Sequence, residues 1–279
     1  MFEIIFMELN SSSINEIKRK LGGKTFVSCN LNSLNLSKTQ TFYTTSMFDK
    51  KIDYILHKSP DFILLQDLRL CSRSQTLINK VKCSKYGNFH SYINSSKDSR
   101  GVGILINSRV NYSIHKCHKS DDENAIILDI SVDNFRFTLC SIYGPKTCDN
   151  PLFFDSIKAL IEEFKNKHYL IMGDLNLVTC NLPTERNQNI DLLNAKDIPN
   201  KSNSLKIIEW INSGFTTDVF RYKSPEKRDF SYIPFNTKSN YRSRLDHCLS
   251  DSFLVECIDK ICYEKKKQYF RSLPTFYII

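Results

Sequence analysis

Short apolar runs rich in β-branched residues punctuate the chain from Phe26 onward, each ending in polar residues. Thr25–Cys29, Phe62–Leu65, Val102–Ile106, Ala125–Val132, Phe135–Tyr143 and Tyr169–Met172 all read as strands. Between them, apolar residues fall three or four apart over Met47–His57 and Phe153–Asn166, which predicts helices, with a shorter one over 205–212. Further strands are expected near Phe230–Ile233, Arg244–Leu249 and Thr275–Ile279. Ahead of all this, Ser13 and Glu16 form a capping box and Gly22-Gly23 closes the segment, so 14–21 reads as a short leading helix. The polar stretch Thr179–Ser204 lacks periodicity and reads as a long surface loop. Strands interleaved with fewer helices predict a layered α/β sandwich rather than a helical bundle. Residues 1–24 are expected to form an extension and 25–279 a single domain.

Composition fits a folded domain. In 279 residues, 41% are hydrophobic and 25% charged, too apolar for a disordered polymer. A formal net charge of +9 favours a polyanionic partner. The run Lys265-Lys266-Lys267 reads equally as a solvated face or a nucleic-acid contact. Glu3 and Glu8 interrupt the N-terminal apolar patch, which also lacks a basic region, so no secretory signal is read. No run of about 18 apolar residues would span a membrane. The ten cysteines are scattered without a C-x-x-C pair, consistent with reduced thiols in an intracellular, cytoplasmic or nuclear protein. His115, Cys117 and His118 lack a second ligand pair at a zinc-site distance and read as a surface strand.

The most informative segment is Leu170-Ile171-Met172-Gly173-Asp174-Leu175-Asn176, an apolar strand delivering a carboxylate and an amide at its carboxyl end. Such a pair can hold a water and a phosphoryl oxygen within hydrogen-bond reach. Other strands are expected to finish the same way: Asn30 after Ser28-Cys29, Asp67 after Leu64-Leu65-Gln66, Tyr143 before Gly144-Pro145, and Asp246 after Ser243-Arg244-Leu245. Five polar strand ends are thus candidates for one rim.

In order and approximate spacing, Asn30, Gln66-Asp67, Arg100-Gly101-Val102-Gly103, Ser141 to Pro145, Gly173 to Asn176 and Ser243 to Asp246 resemble the endonuclease/exonuclease/phosphatase family. The match runs from about Phe26 to the C-terminus. Glu185-Arg186 after Asn176-Leu177-Val178 makes it most similar to the endonuclease domains of LINE-type retrotransposons, with apurinic/apyrimidinic endonucleases as more distant relatives. The resemblance implies the four-layered sandwich of the deoxyribonuclease I type, two packed mixed sheets flanked by helices. It implies Mg²⁺, with Mn²⁺ as a substitute, held by Asp67 with Asn30 beside it. Tyr143 would contact phosphate, Asp174 and Asn176 would orient the attacking water, and Asp246 would orient a catalytic histidine. The implied chemistry is metal-assisted hydrolysis of a phosphodiester, with DNA as partner.

Two departures qualify that activity. The family's closing Ser-Asp-His is replaced by Ser272-Leu273-Pro274, and Asp67 stands where glutamate is usual. A positioned acid/base group contributes about 10²- to 10⁴-fold in rate. His247 follows Asp246 directly, and neighbouring strand residues face opposite ways, so it reads as a packing residue. The sequence therefore predicts the nuclease fold with hydrolysis lost or reduced and nucleic-acid binding retained. An active metal-dependent endonuclease is the alternative. A phosphatase or phospholipase of the same superfamily is a further class, for which no head-group signature is found. Oligomeric state and base preference are not encoded in any readable motif.

Overall fold

Strands β1 (Phe26–Asn30), β2 (Phe62–Gln66) and β4 (Val102–Asn107) are buried along their full length. This is why they read as continuous apolar runs: both faces of their sheet are covered. The computed structural model describes residues 15–16, 21–31, 52–70, 79, 86–96, 99–146, 151–179, 190–194, 200–232 and 241–263. With β3 (Phe89–Asn94), these strands form a four-stranded sheet in the order β1-β2-β4-β3, in which β1 and β2 are parallel.

The second sheet has the order β10-β12-β8-β7-β6-β5. Its strands are β5 (Tyr112–Lys119), β6 (Ala125–Val132), β7 (Phe135–Tyr143), β8 (Tyr169–Asp174), β10 (Thr217–Asp218) and β12 (Asp246–Ser250). Only β7 and β8 pair in parallel; their crossover carries helix α1 (Pro151–Glu163). A two-residue ladder joins β9 (Leu192–Leu193) to β11 (Arg242–Ser243). Helices α2 (Lys201–Asn212), α3 (Val219–Lys223) and α4 (Ser252–Cys257) complete the named elements.

The strand period of two divides the apolar residues among three cores. Phe62 and Leu64 of β2 meet Leu128, Phe137, Leu139 and Met172 between the sheets. Their neighbours Ile63 and Leu65 face outward onto Ile52, Ile55 and Leu56, from the helical stretch 52–57. On the far side, Ile127, Cys140, Ile142 and Ile171 pack under Phe154, Ile157 and Ile161 of α1 and Ile207 and Trp210 of α2. Helix, sheet, sheet and helices make the four layers expected.

Several boundaries differ from the sequence reading. Helix α1 begins at Pro151 rather than Phe153, since proline suits a first turn whose N–H has no partner anyway, and the left-handed Lys165 (φ 56°) ends the run before Asn166. Helix α2 starts at Lys201, inside the expected loop, because Asn203 and Ser204 occupy its buried face and hide the apolar period. That loop also holds β9. Of the strand expected at Phe230–Ile233, the described residues 230–232 form one bridge, Tyr232 to Ser243, and the strand expected from Arg244 begins at Asp246. Strand β3 carries no continuous apolar run and was not expected. Ser272-Leu273-Pro274, Lys265-Lys266-Lys267, Glu185-Arg186, the expected strand Thr275–Ile279, most of the helix read at 14–21 and the first part, 47–51, of the helix read at Met47–His57 lie outside the described residues.

Candidate functional site

Pairing register brings the polar strand ends together. Asn30 lies opposite Gln66 at the ends of β1 and β2, and Tyr143 opposite Asp174 at the ends of β7 and β8. Strand β12 runs antiparallel to β8, so Asp246 enters the same rim from the start of its strand, directly opposite Asp174. Sequence order had suggested a strand end there. Beneath the rim, Ser28 Oγ donates to Gln66 Oε1 (3.2 Å) and Gln66 Nε2 donates to Ser141 Oγ (3.2 Å), tying one sheet to the other.

Asp174 is the hub. Its Oδ2 accepts from Asn30 Nδ2 at 2.5 Å and its Oδ1 from the Asn176 backbone N–H at 2.9 Å. Asn176 adopts a left-handed backbone (φ 53°) and donates its side-chain amide to the Gly144 carbonyl at 2.8 Å. Asn200, which the sequence reading did not single out, braces the turn by donating to the carbonyls of Pro145 (2.7 Å) and Asn176 (2.6 Å). Two glycines permit this close approach. A Cβ on Gly144 would collide with the Leu175 carbonyl, and one on Gly173 with the Ile142 carbonyl.

Electrostatically the rim is strained. Burial pushes the Asp174 carboxyl up, against the pull of its hydrogen bonds and of Lys146. Burial, reinforced by the facing Asp174, holds Asp246 well above the usual carboxylate range. Asp246 is 3% exposed, and its Oδ1 has no hydrogen-bond partner. The Tyr143 hydroxyl, equally buried, finds no acceptor for its proton; burial raises its pKa, with Asp67 and Asp174 acting in the same sense and the neighbouring Arg69 guanidinium against it.

Asp67 takes a left-handed backbone (φ 54°) just beyond β2. Arg69 spans its carboxylate, Nε to Oδ1 at 2.8 Å and Nη2 to Oδ2 at 3.1 Å. Lys146 Nζ stands 3.6 Å from Oδ2 and 5.0 Å from the Tyr143 ring centre. Neither cation was singled out in the sequence; the signals available were a basic residue two positions after Asp67 and another immediately after Gly144-Pro145.

Magnesium takes oxygen ligands in near-octahedral geometry with several waters. Here both Asp67 oxygens are bonded by the Arg69 guanidinium, while the Asn30 amide nitrogen is committed to Asp174. Among the described residues, no cluster of three or more His, Cys, Asp or Glu side chains is arranged to hold an ion. Asp67, so arranged, does not fit the ligand role that the sequence resemblance implies.

All six histidines of the chain are among the described residues. His57 packs edge-on to Tyr86, His90 bonds Tyr112, His115 bonds Ser131, His118 lies on edge strand β5, and His168 bonds Asp251. His247 lies on the opposite side of β12 from Asp246, as the strand period requires. Its Nδ1 accepts from Arg244 Nη1 (3.1 Å) and its Nε2–H donates to the Leu177 carbonyl (2.9 Å). Arg244 is wholly buried and binds Asp191 (2.7 Å), Asp218 (2.6 Å) and Thr179 (2.8 Å), while Arg221 also reaches Asp191. Asp246 is further positioned by Ser231, whose Oγ accepts its backbone N–H (3.1 Å), and by Tyr263, whose hydroxyl donates to its carbonyl (2.8 Å).

The model of the "Endonuclease/Exonuclease/phosphatase family" matches residues 28–259. An AP endonuclease from Archaeoglobus fulgidus superposes with a TM-score of 0.68 at 14% identity, covering 91% of this chain and 98% of that one. The AP endonuclease LMAP from Leishmania major gives 0.67 at 14% identity, covering 91% and 86%. The 3′ phosphatase NExo from Neisseria, bound to product DNA hairpin, gives 0.62 at 16% identity, covering 91% and 98%. At these identities the superpositions establish the fold alone.

Proposed function

Since the chain belongs to the endonuclease/exonuclease/phosphatase family, we propose that it binds nucleic acid through a phosphodiester-recognising rim while hydrolysing it poorly. The carrying observation is the placement of the histidines. Asp246 occupies the position that resembles the family's histidine-orienting carboxylate, yet none of the six histidines reaches it, and its Oδ1 has no partner. Without a positioned acid/base, turnover is expected to fall by about 10²- to 10⁴-fold.

Binding is supported by the net charge of +9 and by the donors at the rim, Tyr143, Lys146 and Arg69. The active Mg²⁺- or Mn²⁺-dependent endonuclease remains the second reading. One observation favours it: Asn30, Tyr143, Asp174, Asn176 and Asp246 converge on one rim. The retrotransposon-type subclass belongs to this proposal too, resting on the Glu185-Arg186 resemblance alone. Among the described residues no helix is long and apolar enough to cross a membrane.

Incubating purified protein with supercoiled plasmid and with an abasic-site duplex, in Mg²⁺, Mn²⁺ or EDTA, tests both readings. Salt-sensitive binding with little or no nicking is expected. Metal-dependent nicking at ordinary nuclease rates, lost in Asp174→Ala, establishes the second reading instead.

A further inference from the structure

The charge balance of the rim carries a more specific statement. Asp67 and Asp174 put two carboxylates at the ends of β2 and β8, and Asp246 adds a third facing Asp174. Two side-chain cations already stand against them. Arg69 closes bidentately on Asp67, the geometry in which a guanidinium binds a carboxylate most strongly. Lys146 lies within ion-pair range of the same carboxylate, but at 3.6 Å it is beyond direct hydrogen-bond distance, and its side chain is 42% exposed. An entering divalent ion would have to share or displace the Arg69 guanidinium on the Asp67 carboxylate and accept two neighbouring positive charges.

The second, independent observation is Tyr143. Its hydroxyl is buried beside these groups; the Arg69 guanidinium stands near its oxygen as a donor, but its own O–H has no acceptor, a costly state unless something else supplies one. Lys146 sits over the ring of this same residue. One exposed ammonium and one hydroxyl without an acceptor therefore share a small region, where a single anionic oxygen would serve both.

We infer that Lys146 and Arg69 supply the positive charge of this rim from the chain itself, so that it binds a phosphodiester oxygen between Lys146 Nζ and the Tyr143 hydroxyl without a divalent metal. This rests on the nucleic-acid reading for its ligand, but not for its account of the metal site. Lys146 moves from Asp67 to the phosphate, Arg69 keeps Asp67 neutralised, and no bond is made or broken.

Two measurements on the full chain separate the inference from the reading beneath it. The first is Mn²⁺ binding followed by loss of the free-ion electron paramagnetic resonance signal, with no nucleic acid present. Wild type is expected to leave Mn²⁺ free at concentrations where Lys146→Gln combined with Arg69→Gln binds at least about tenfold more tightly. Stoichiometric Mn²⁺ uptake by wild type at micromolar concentration, abolished by Asp67→Asn, would overturn the inference whatever the protein does with DNA.

The second is fluorescence anisotropy with a labelled duplex carrying an abasic analogue, at matched ionic strength in EDTA or Mg²⁺. Wild-type affinity should agree within about twofold between the two conditions, and Lys146→Gln should weaken it while lowering the salt slope by about one. Lys146→Arg should restore most of the binding. Lys146 is exposed, so its variants are expected to fold, and thermal melting checks this. Binding that appears only with Mg²⁺ and ignores Lys146→Gln contradicts the inference while leaving nucleic-acid recognition intact. Wild type that leaves Mn²⁺ free yet binds no duplex upholds the chain-supplied charge and removes DNA as the ligand.

Discussion

Two buried residues a short step apart in sequence, Arg244 just ahead of β12 and Asp246 at its start, show how differently charge is handled inside this protein. Arg244 has two aspartates, a threonine and a histidine around it, and with Arg221 the cluster balances two guanidinium groups against two carboxylates. Asp246, two residues on, has an unpartnered oxygen and a second carboxylate opposite. Removing one partner of a buried balanced pair costs about 3–5 kcal/mol, so Arg244→Met should unfold at markedly lower denaturant concentration. Asp191 and Asp218 are both held below the usual carboxylate range, chiefly by Arg244 acting against burial. Their stabilisation is complete above the unfolded value of about 3.9 and is lost as pH falls through their depressed folded values. Acid titration of wild type should show this loss, and Arg244→Met should flatten it. Asp246 has the opposite sign. Its cost is absent below about pH 4, where it is protonated in both states, and grows as pH rises toward its raised folded value. Asp246→Asn should therefore stabilise the protein at pH 7 by about 1–2 kcal/mol, with the gain vanishing near pH 4 in thermal melts. A destabilised Asp246→Asn at neutral pH would show that this carboxylate has a partner the account omits.

At the scale of elements, the strands that position the site were legible because they are buried on both faces. β1, β2, β4, β6, β7 and β8 all read as apolar runs from sequence. β3, at the edge of its sheet, was not legible, because only Phe89 of its six residues is fully buried. β5, also an edge, was anticipated only as a surface strand around His115 and Cys117. β9 and β11 are two-residue ladders, too short for any period to register. The convergence of Asn30, Tyr143 and Asp174 follows from polar strand ends, and Asp246 joins them from the start of antiparallel β12, yet the Arg69 and Lys146 contacts depend on side-chain reach across turns, which no spacing encodes. Where β7 and β8 end, the backbones approach too closely for any side chain at Gly173. Gly173→Ala should force them apart, costing about 2–4 kcal/mol and disordering Asp174, whereas Gly214→Ala, where no atom stands in the way, should cost only the strain of its positive φ, about 1 kcal/mol. Chemical denaturation of the two variants makes the comparison.

For the whole molecule, a four-layer sandwich matched by AP endonucleases and a 3′ phosphatase carries a surplus of nine positive charges and a rim built from strand ends. Fold and family are shared with enzymes, but what the rim does depends on its own groups. Here those groups include two cations beside Asp67 and no histidine beside Asp246. The measurement that tests this most directly is single-turnover cleavage of an end-labelled abasic duplex, saturated with protein in Mg²⁺, with binding of the same duplex read in parallel by anisotropy. Saturable, salt-sensitive binding is expected, with a cleavage rate lower by about 10²-fold or more than that of a histidine-bearing nuclease of this fold under the same conditions. Cleavage at the rate of that nuclease, abolished by Asp174→Ala, would contradict it.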